Sequence, residues 1–143
     1  MSSMTDYLEN KLVDNFFRTT TFSRPATLYI ALYTTSTTDA GGGTEVTGGS
    51  YARQALNPLD TNWYATQGGT TGASSGTGGA TSNAAEVAFP VATANWGTIT
   101  NVAIMDASTS GNMLFHGALT VSKTVNSGDQ FKFSASNLSV TLA

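Results

Sequence analysis

The N-terminal segment carries the only strong helical pattern of the chain. Leu8, Leu12 and Phe16 recur every four positions, which places them on one stripe of an amphipathic helix. Thr5 can cap the start of such a helix, because its side chain can accept a hydrogen bond from a free backbone N–H group. The pattern therefore predicts a helix over residues 5–18.

The apolar stripe of this helix has two interpretations. Leu8, Leu12 and Phe16 either close one end of the domain's own core or dock on a neighbouring chain. Both interpretations follow from the same pattern, since an amphipathic helix must cover its apolar face with something. We therefore treat these three residues as candidate interface residues.

From Pro25 onward the pattern changes to the alternation and short apolar runs of β-strands. Residues 98–106 are apolar on both faces and predict a central strand. Residues 113–121 predict either one bulged strand or two short strands that flank Gly117. Further strands are predicted over residues 27–34, 44–47, 50–56, 86–89, 130–135 and 138–142.

Short strands separated by turns about every ten residues are typical of a β-sandwich or a barrel. The sequence therefore predicts a mainly β protein, folded as a single compact sandwich or barrel-like domain over residues 1–143. In this interpretation the N-terminal helix precedes a β body that spans residues 25–143. The length of the chain suits one domain with a genuine core.

A low-complexity segment of Gly, Thr and Ser interrupts the strands at residues 66–82. It has too few apolar side chains to offset the entropy of ordering it, so we expect an exposed and mobile loop within the domain. Such a loop is either a contact segment or a tolerated surface insertion.

Charge is sparse, and its distribution limits the classes of partner. Charged residues make up 10% of the chain, against about 25% in a typical soluble domain. The six basic residues are spread along the whole chain, whereas nucleic-acid binding needs a clustered basic patch. No apolar run approaches the length of a membrane span, and the N terminus lacks the pattern of a secretory signal. We expect a protein made in the cytoplasm of its host, without a nucleic-acid or membrane partner.

The sequence offers no set of residues for bond chemistry. His116 is the single histidine, cysteine is absent, and no G-x-S-x-G motif occurs, so a hydrolase triad and a cysteine-rich zinc site are both unsupported. The turn at residues 39–45 holds two carboxylates but lacks the spacing of a calcium-binding EF-hand loop. We predict no catalytic residue, no cofactor and no metal, and hence a protein that is not an enzyme.

Two adjacent aromatic residues, Trp63 and Tyr64, lie directly before the low-complexity segment. Aromatic rings with a polar edge are enriched in interfaces, and their flat faces can stack on sugars. We add both residues to the candidate interface.

Several blocks of the sequence, spread in order over nearly the whole chain, resemble a family of small bacteriophage virion structural proteins. The resemblance rests on Tyr7–Leu12, Pro25–Tyr33, Gly43–Val46, Gly48–Gln54, Phe89–Gly97, Leu114–Leu119 and Lys123–Asp129. Members of this family are described as tail-fibre-like, and small β proteins of this kind are also similar to capsid cement, or decoration, proteins.

The resemblance implies a place in the virion, and two roles compete. A cement protein would sit as a homotrimer on the outer surface of the capsid and bind the major capsid protein. We prefer this role, because a fibre subunit usually shows repeats, a coiled-coil shaft or a longer chain. The alternative is a tail-fibre or baseplate module that binds a receptor or glycan, with Trp63 and Tyr64 as the stacking residues.

Overall fold

The computed structural model describes residues 2–142. These residues contain one helix, α1 (Asp6–Phe17), which follows the first, two-residue strand and precedes all the other strands. The strands are β1 (Ser3–Met4), β2 (Tyr29–Tyr33), β3 (Gln54–Ala55), β4 (Ala80–Ser82), β5 (Val87–Ala88), β6 (Gly97–Met105), β7 (Met113–Val125), β8 (Lys132–Phe133) and β9 (Ser139–Thr141). The predicted mainly β fold with one N-terminal helix is confirmed.

The strands form one large sheet and two small ribbons, all antiparallel. The large sheet has the order β1-β7-β6-β2-β3, while β4 pairs with β9 and β5 pairs with β8. The long hairpin of β6 and β7 is the centre of the sheet. Its register shifts between Ile99 and Asn101 and again between Ile104 and Met105, and in both places the extra residues lie in β7.

The core lies between the large sheet and the two ribbons. Ile30 and Leu32 of β2 point into it from the sheet, and both are fully buried. Phe89 and Phe131 approach from the ribbon side and meet edge to face, with ring centroids 5.8 Å apart. This two-layer arrangement follows from the alternation of side chains along each strand, which sends every second residue inward.

The opposite face of the large sheet carries a second, smaller apolar cluster. Ala31 and Tyr33 of β2 belong to it together with Met105 and Met113. Gly43 lies against this cluster, and a Cβ atom at its position would stand 3.0 Å from the Tyr33 ring. Its positive φ of 111° is a second reason for glycine at this position. The glycine-rich turn at residues 39–43 therefore covers part of the sheet.

Several predicted strand boundaries need correction. Residues 113–121 belong to one strand that runs to Val125 and is bulged at residues 119–122, so the interpretation as one bulged strand is confirmed and that as two short strands is wrong. Residues 44–47 contribute only an isolated bridge between Glu45 and Tyr33, and residues 50–56 contribute only β3. The predicted loop at residues 66–82 ends in β4, because Ala80–Ser82 find hydrogen-bonding partners in β9. That pairing depends on a distant segment and is invisible in the local composition.

Candidate interaction surfaces

The start of α1 is fixed to the sheet by a single threonine. The Thr5 hydroxyl donates a hydrogen bond to the Met113 carbonyl oxygen over 2.6 Å and accepts one from the Leu8 N–H group over 3.4 Å. The Thr5 N–H group donates to the Leu114 carbonyl oxygen, and the Thr5 side chain is only 1% exposed. Thr5 is therefore both the N-cap of the helix and its attachment to β7.

The predicted interface residues of the helix divide into two groups. Leu8 is buried at 6% exposure and Leu12 is half-buried, so the first part of the stripe covers the protein's own body. Phe16 and Phe17 are 72% and 85% exposed, and Val13 also lies open to solvent. Exposed apolar patches are typical of interaction sites, so these residues remain candidates for an interface. The stripe thus begins in the core and ends on an open surface.

The chain after α1 is exposed over residues 18–24 except at Phe22, which is partly buried. Arg18 has extended backbone angles, and residues 18–24 belong to neither a helix nor a strand. The Phe22 N–H group donates to the Asn15 side chain over 3.0 Å, which holds this segment beside the helix. We call residues 13–24, the end of α1 together with this segment, the arm.

Trp63 and Tyr64 lie at the base of the low-complexity loop, where its two ends meet. The Trp63 ring is half-buried against the core, and its Nε1–H group donates to the Leu56 carbonyl oxygen over 3.4 Å. The Tyr64 backbone bonds to Ser82 and Thr81 across the base of the loop. Both aromatic residues line a groove of about 460 Å³, which Arg24 of the arm also borders. One face of Trp63 therefore has a structural role, and its remaining surface is open to this groove.

The low-complexity loop is folded around one side chain, Gln67. Its amide group donates to the Ala73 carbonyl oxygen over 3.0 Å, and its side-chain oxygen accepts from the Ser75 N–H group over 2.8 Å. The Thr66 hydroxyl accepts from the Gly76 N–H group over 2.7 Å. Every residue from 71 to 80 is exposed, so these bonds shape the loop without burying it. The signal for this arrangement was the only glutamine in a segment of Gly, Thr, Ser and Ala.

A network around Glu45 and Arg53 fastens the chain between β2 and β3 to the rest of the body. Arg53 makes a bidentate ion pair with Glu45, with two N···O distances of 2.8 Å, and donates to the Ala107 and Ser110 carbonyl oxygens. Tyr51 donates to Glu45 over 2.9 Å and accepts from the Leu32 N–H group. These charged residues lie in blocks that carried the family resemblance, and their role is structural.

The environment of the network changes the acidity of its members. Hydrogen bonding to Glu45 raises the pKa of the Arg53 guanidinium, although burial acts in the opposite direction. Burial raises the pKa of the Tyr51 phenol well above its ordinary value, and burial likewise raises the pKa of the Tyr33 phenol. All three groups therefore keep their protons to unusually high pH.

His116 joins a chain of hydrogen bonds that sequence reasoning missed. Its Nδ1 atom lies 2.8 Å from the Thr37 hydroxyl oxygen, and its Nε2 atom lies 2.8 Å from an Asp39 carboxylate oxygen. This is the order of groups in a hydrolase triad, but the hydroxyl is buried and already accepts a hydrogen bond from Asn101. A substrate would have to approach that hydroxyl, so the arrangement suits a structural clamp. It ties the turn at residues 37–39 to β7.

The outer edge of β7 is largely unpaired. On its outer side β7 pairs with β1 only at Phe115 and His116. On its inner side β7 pairs with β6 within residues 113–118 and 123–125, whereas residues 119–122 bulge opposite Thr100. Among the described residues, no strand lies on the outer side of residues 118–124. Val121 in the middle of this edge is 64% exposed.

No group of three His, Asp or Glu side chains lies close enough to hold a metal ion within residues 2–142. No helix of the described chain has the length and hydrophobicity needed to span a membrane.

A known family covers almost the entire chain. The family described as podophage GP4 fiber I protein gp80 matches residues 3–141. The chain belongs to this family. It is therefore a bacteriophage structural protein and a component of the virion, as the resemblance implied. The match does not extend to a cement or decoration role, so that role stays a prediction. No curated protein sequence matches the chain.

Proposed function

We propose that this protein is a subunit of a phage tail fibre, and that its arm attaches it to neighbouring subunits. The observation that carries the proposal is the match over residues 3–141 to a family described as a podophage fiber protein. The exposed arm supports it, because Phe16 and Phe17 present apolar surface that the described residues leave uncovered. The chain then acts by holding surfaces together.

We further propose that the subunits associate as a homotrimer. A structural fibre has to resist force, and several weak contacts made at once give avidity that one contact of the same strength does not. Closed rings of identical subunits provide such contacts without requiring a second gene product.

Locating the protein in intact particles tests the fibre role. Gold-labelled antibody or a particle reconstruction should find a few copies at the tail and none over the head. Particles assembled with the double variant Phe16→Ala and Phe17→Ala should contain less of the protein. Val91→Ala is the matched control, because Val91 is an exposed apolar residue outside the arm. Label spread over the head would overturn the fibre role.

A capsid cement role is the second candidate, favoured by the shape of the subunit. Within residues 2–142 the one helix has 12 residues and forms no coiled-coil shaft, while the body is a compact sandwich. Such a subunit suits a clamp that binds the major capsid protein on the outer surface of the head. Label in hundreds of copies over the head, together with heads that burst more readily when the protein is removed, would establish this role instead.

We also propose that the fibre binds a receptor at the host surface. The groove beside Trp63 and Tyr64 has the aromatic surface that sugar binding requires. Binding of host surface glycans should quench the fluorescence of Trp63, and Tyr64→Ala should weaken that binding. Trp96 is buried, so the variant Trp63→Phe, which keeps only Trp96, is the control and should show no quenching. Unchanged fluorescence with every host glycan tested would rule out this receptor function.

A further inference from the structure

The groove beside Trp63 and Tyr64 has the size and the apolar surface of a ligand site. Its volume of about 460 Å³ lies within the range of about 300–1,000 Å³ that is usual for small-ligand pockets. Leu28, Leu59 and Leu142 contribute apolar surface next to the two aromatic residues. Leu59 and Leu142 are 55% and 56% exposed, so a ligand that enters the groove would cover apolar surface that is now open to solvent.

Two opposite charges line the groove without neutralising each other. Among the described residues these are Arg24 and Asp60, and both are exposed. Neither of them takes part in an ion pair within residues 2–142. The other two arginines, Arg18 and Arg53, are each paired with a carboxylate. The charge of the Arg24 guanidinium is therefore available to a ligand in the groove.

These charges favour a sugar with a negative group over a neutral sugar. A guanidinium group binds a carboxylate or a phosphate through two parallel N–H···O bonds, whereas a neutral sugar offers it only hydroxyl oxygens. Asp60 repels an anionic group but accepts hydrogen bonds from hydroxyl groups, so the anionic end of a ligand belongs at Arg24. An amino sugar would pair with Asp60 instead. Its ammonium group is strongly hydrated and makes a point contact, whereas the weakly hydrated guanidinium makes directed bonds, so we favour the anionic sugar.

We propose that this groove binds glycans whose sugars carry a carboxylate or a phosphate group, and that Arg24 recognises this group. This inference rests on the receptor function proposed above and names the class of glycan. The sugar ring packs on the open surface of Trp63 and Tyr64, while its anionic group binds the Arg24 guanidinium. Because Arg24 is the last residue of the arm and Trp63 belongs to the body, the site joins these two regions.

Quenching of Trp63 fluorescence in the full chain by matched sugars tests this proposal. Short galacturonic acid oligomers and their methyl esters have the same rings, and only the acids are charged. The acids should bind about three- to tenfold more tightly, because a charge-assisted contact at an exposed site adds a modest free energy. Galactose 6-phosphate and galactose give the same comparison for phosphate, and a preference for the charged sugar in either pair supports the proposal. Equal or weaker binding of the charged sugar in both pairs would overturn it, as would a preference for galactosamine over galactose.

Two arginine variants of the arm separate the role of Arg24 from a general electrostatic attraction. Arg24→Gln should abolish the preference for the charged sugar and leave the binding of its neutral counterpart unchanged. Arg18→Gln is the matched control, because Arg18 is an exposed arginine of the same arm that does not line the groove. This control should keep the full preference. Loss of the preference in both variants, or in neither, would overturn the assignment to Arg24.

Failure of this inference can be told apart from failure of the receptor function. Charged and neutral sugars that quench Trp63 equally would overturn the preference for anionic glycans and leave the receptor function in place. If no sugar of any class quenched Trp63, the receptor function itself would be overturned, and the inference would fall with it.

Discussion

The arm and the body of this domain use the same kinds of side chain in opposite ways. In the body, Arg53 is buried and makes two contacts of 2.8 Å with Glu45, whereas Arg18 in the arm is exposed and lies 3.3 Å from Asp14. Phe89 is enclosed in the core, whereas Phe16 is mostly exposed. The body's side chains stabilise the fold, and those of the arm stabilise the isolated chain very little. This difference supports the proposal that the arm contacts a neighbouring subunit.

The largest difference between body and arm is expected in the free energy of unfolding, when the ion pair of each region is broken. Glu45→Gln leaves Arg53 buried without a counter-charge, and breaking a buried pair in this way costs about 3–5 kcal/mol. Asp14→Asn breaks the exposed pair with Arg18, which is worth about 0–1 kcal/mol. Urea unfolding of both variants measures the two free energies. Similar losses for the two variants would contradict the distinction between body and arm.

The second-largest difference in the free energy of unfolding is expected between the two ends of the apolar stripe of α1. Leu8→Ala removes a buried side chain and should lower the free energy of unfolding by about 2–3 kcal/mol. Phe16→Ala removes an exposed one and should change it by less than about 0.5 kcal/mol. Thermal unfolding of dilute protein measures the effect on the single copy. A large loss for Phe16→Ala would mean that the arm folds back on its own body.

The long elements could be predicted from the sequence because their signals are local. The period of four in residues 5–18 predicted α1 within one residue at each end. The apolar run at residues 98–106 predicted β6. A helix cap and a double-faced apolar strand depend on neighbouring residues, so no tertiary information was needed for either.

The short elements and the connecting network could not be predicted, because their partners are distant in sequence. β1 exists through its pairing with Phe115 and His116, and β4 exists through its pairing with β9. Glu45 and Arg53 looked like isolated charges, although their contacts hold the chain between β2 and β3. The candidate residues Leu12, Trp63 and Tyr64 proved half-buried, a result that periodicity and composition do not provide.

The buried phenols of the body predict a loss of stability at alkaline pH. Their pKa values are raised in the folded state, so folding favours the protonated form, and this contribution is complete below the ordinary pKa of about 10. Above pH 10 the unfolded chain ionises first, and each retained phenol proton lowers the free energy of unfolding by about 1.4 kcal/mol per pH unit. Urea unfolding from pH 8 to 11 should show a flat region and then a decline. Tyr51→Phe should make that decline less steep, whereas an unchanged slope would mean that Tyr51 ionises freely.

The smallest expected effect concerns the Gln67 loop, which shares the exposure of the arm but has internal hydrogen bonds. Gln67→Ala removes the two bonds that join it to Ala73 and Ser75, and it should lower global stability by less than about 1 kcal/mol. Local opening should increase much more, because these bonds close the loop while the core lies elsewhere. Limited proteolysis should cut residues 66–79 several-fold faster than in the wild type. Thr71→Ala, an exposed substitution in the same loop, is the control and should leave the rate unchanged. If Gln67→Ala were cut no faster than this control, the loop would owe its shape to its ends, at Tyr64 and β4.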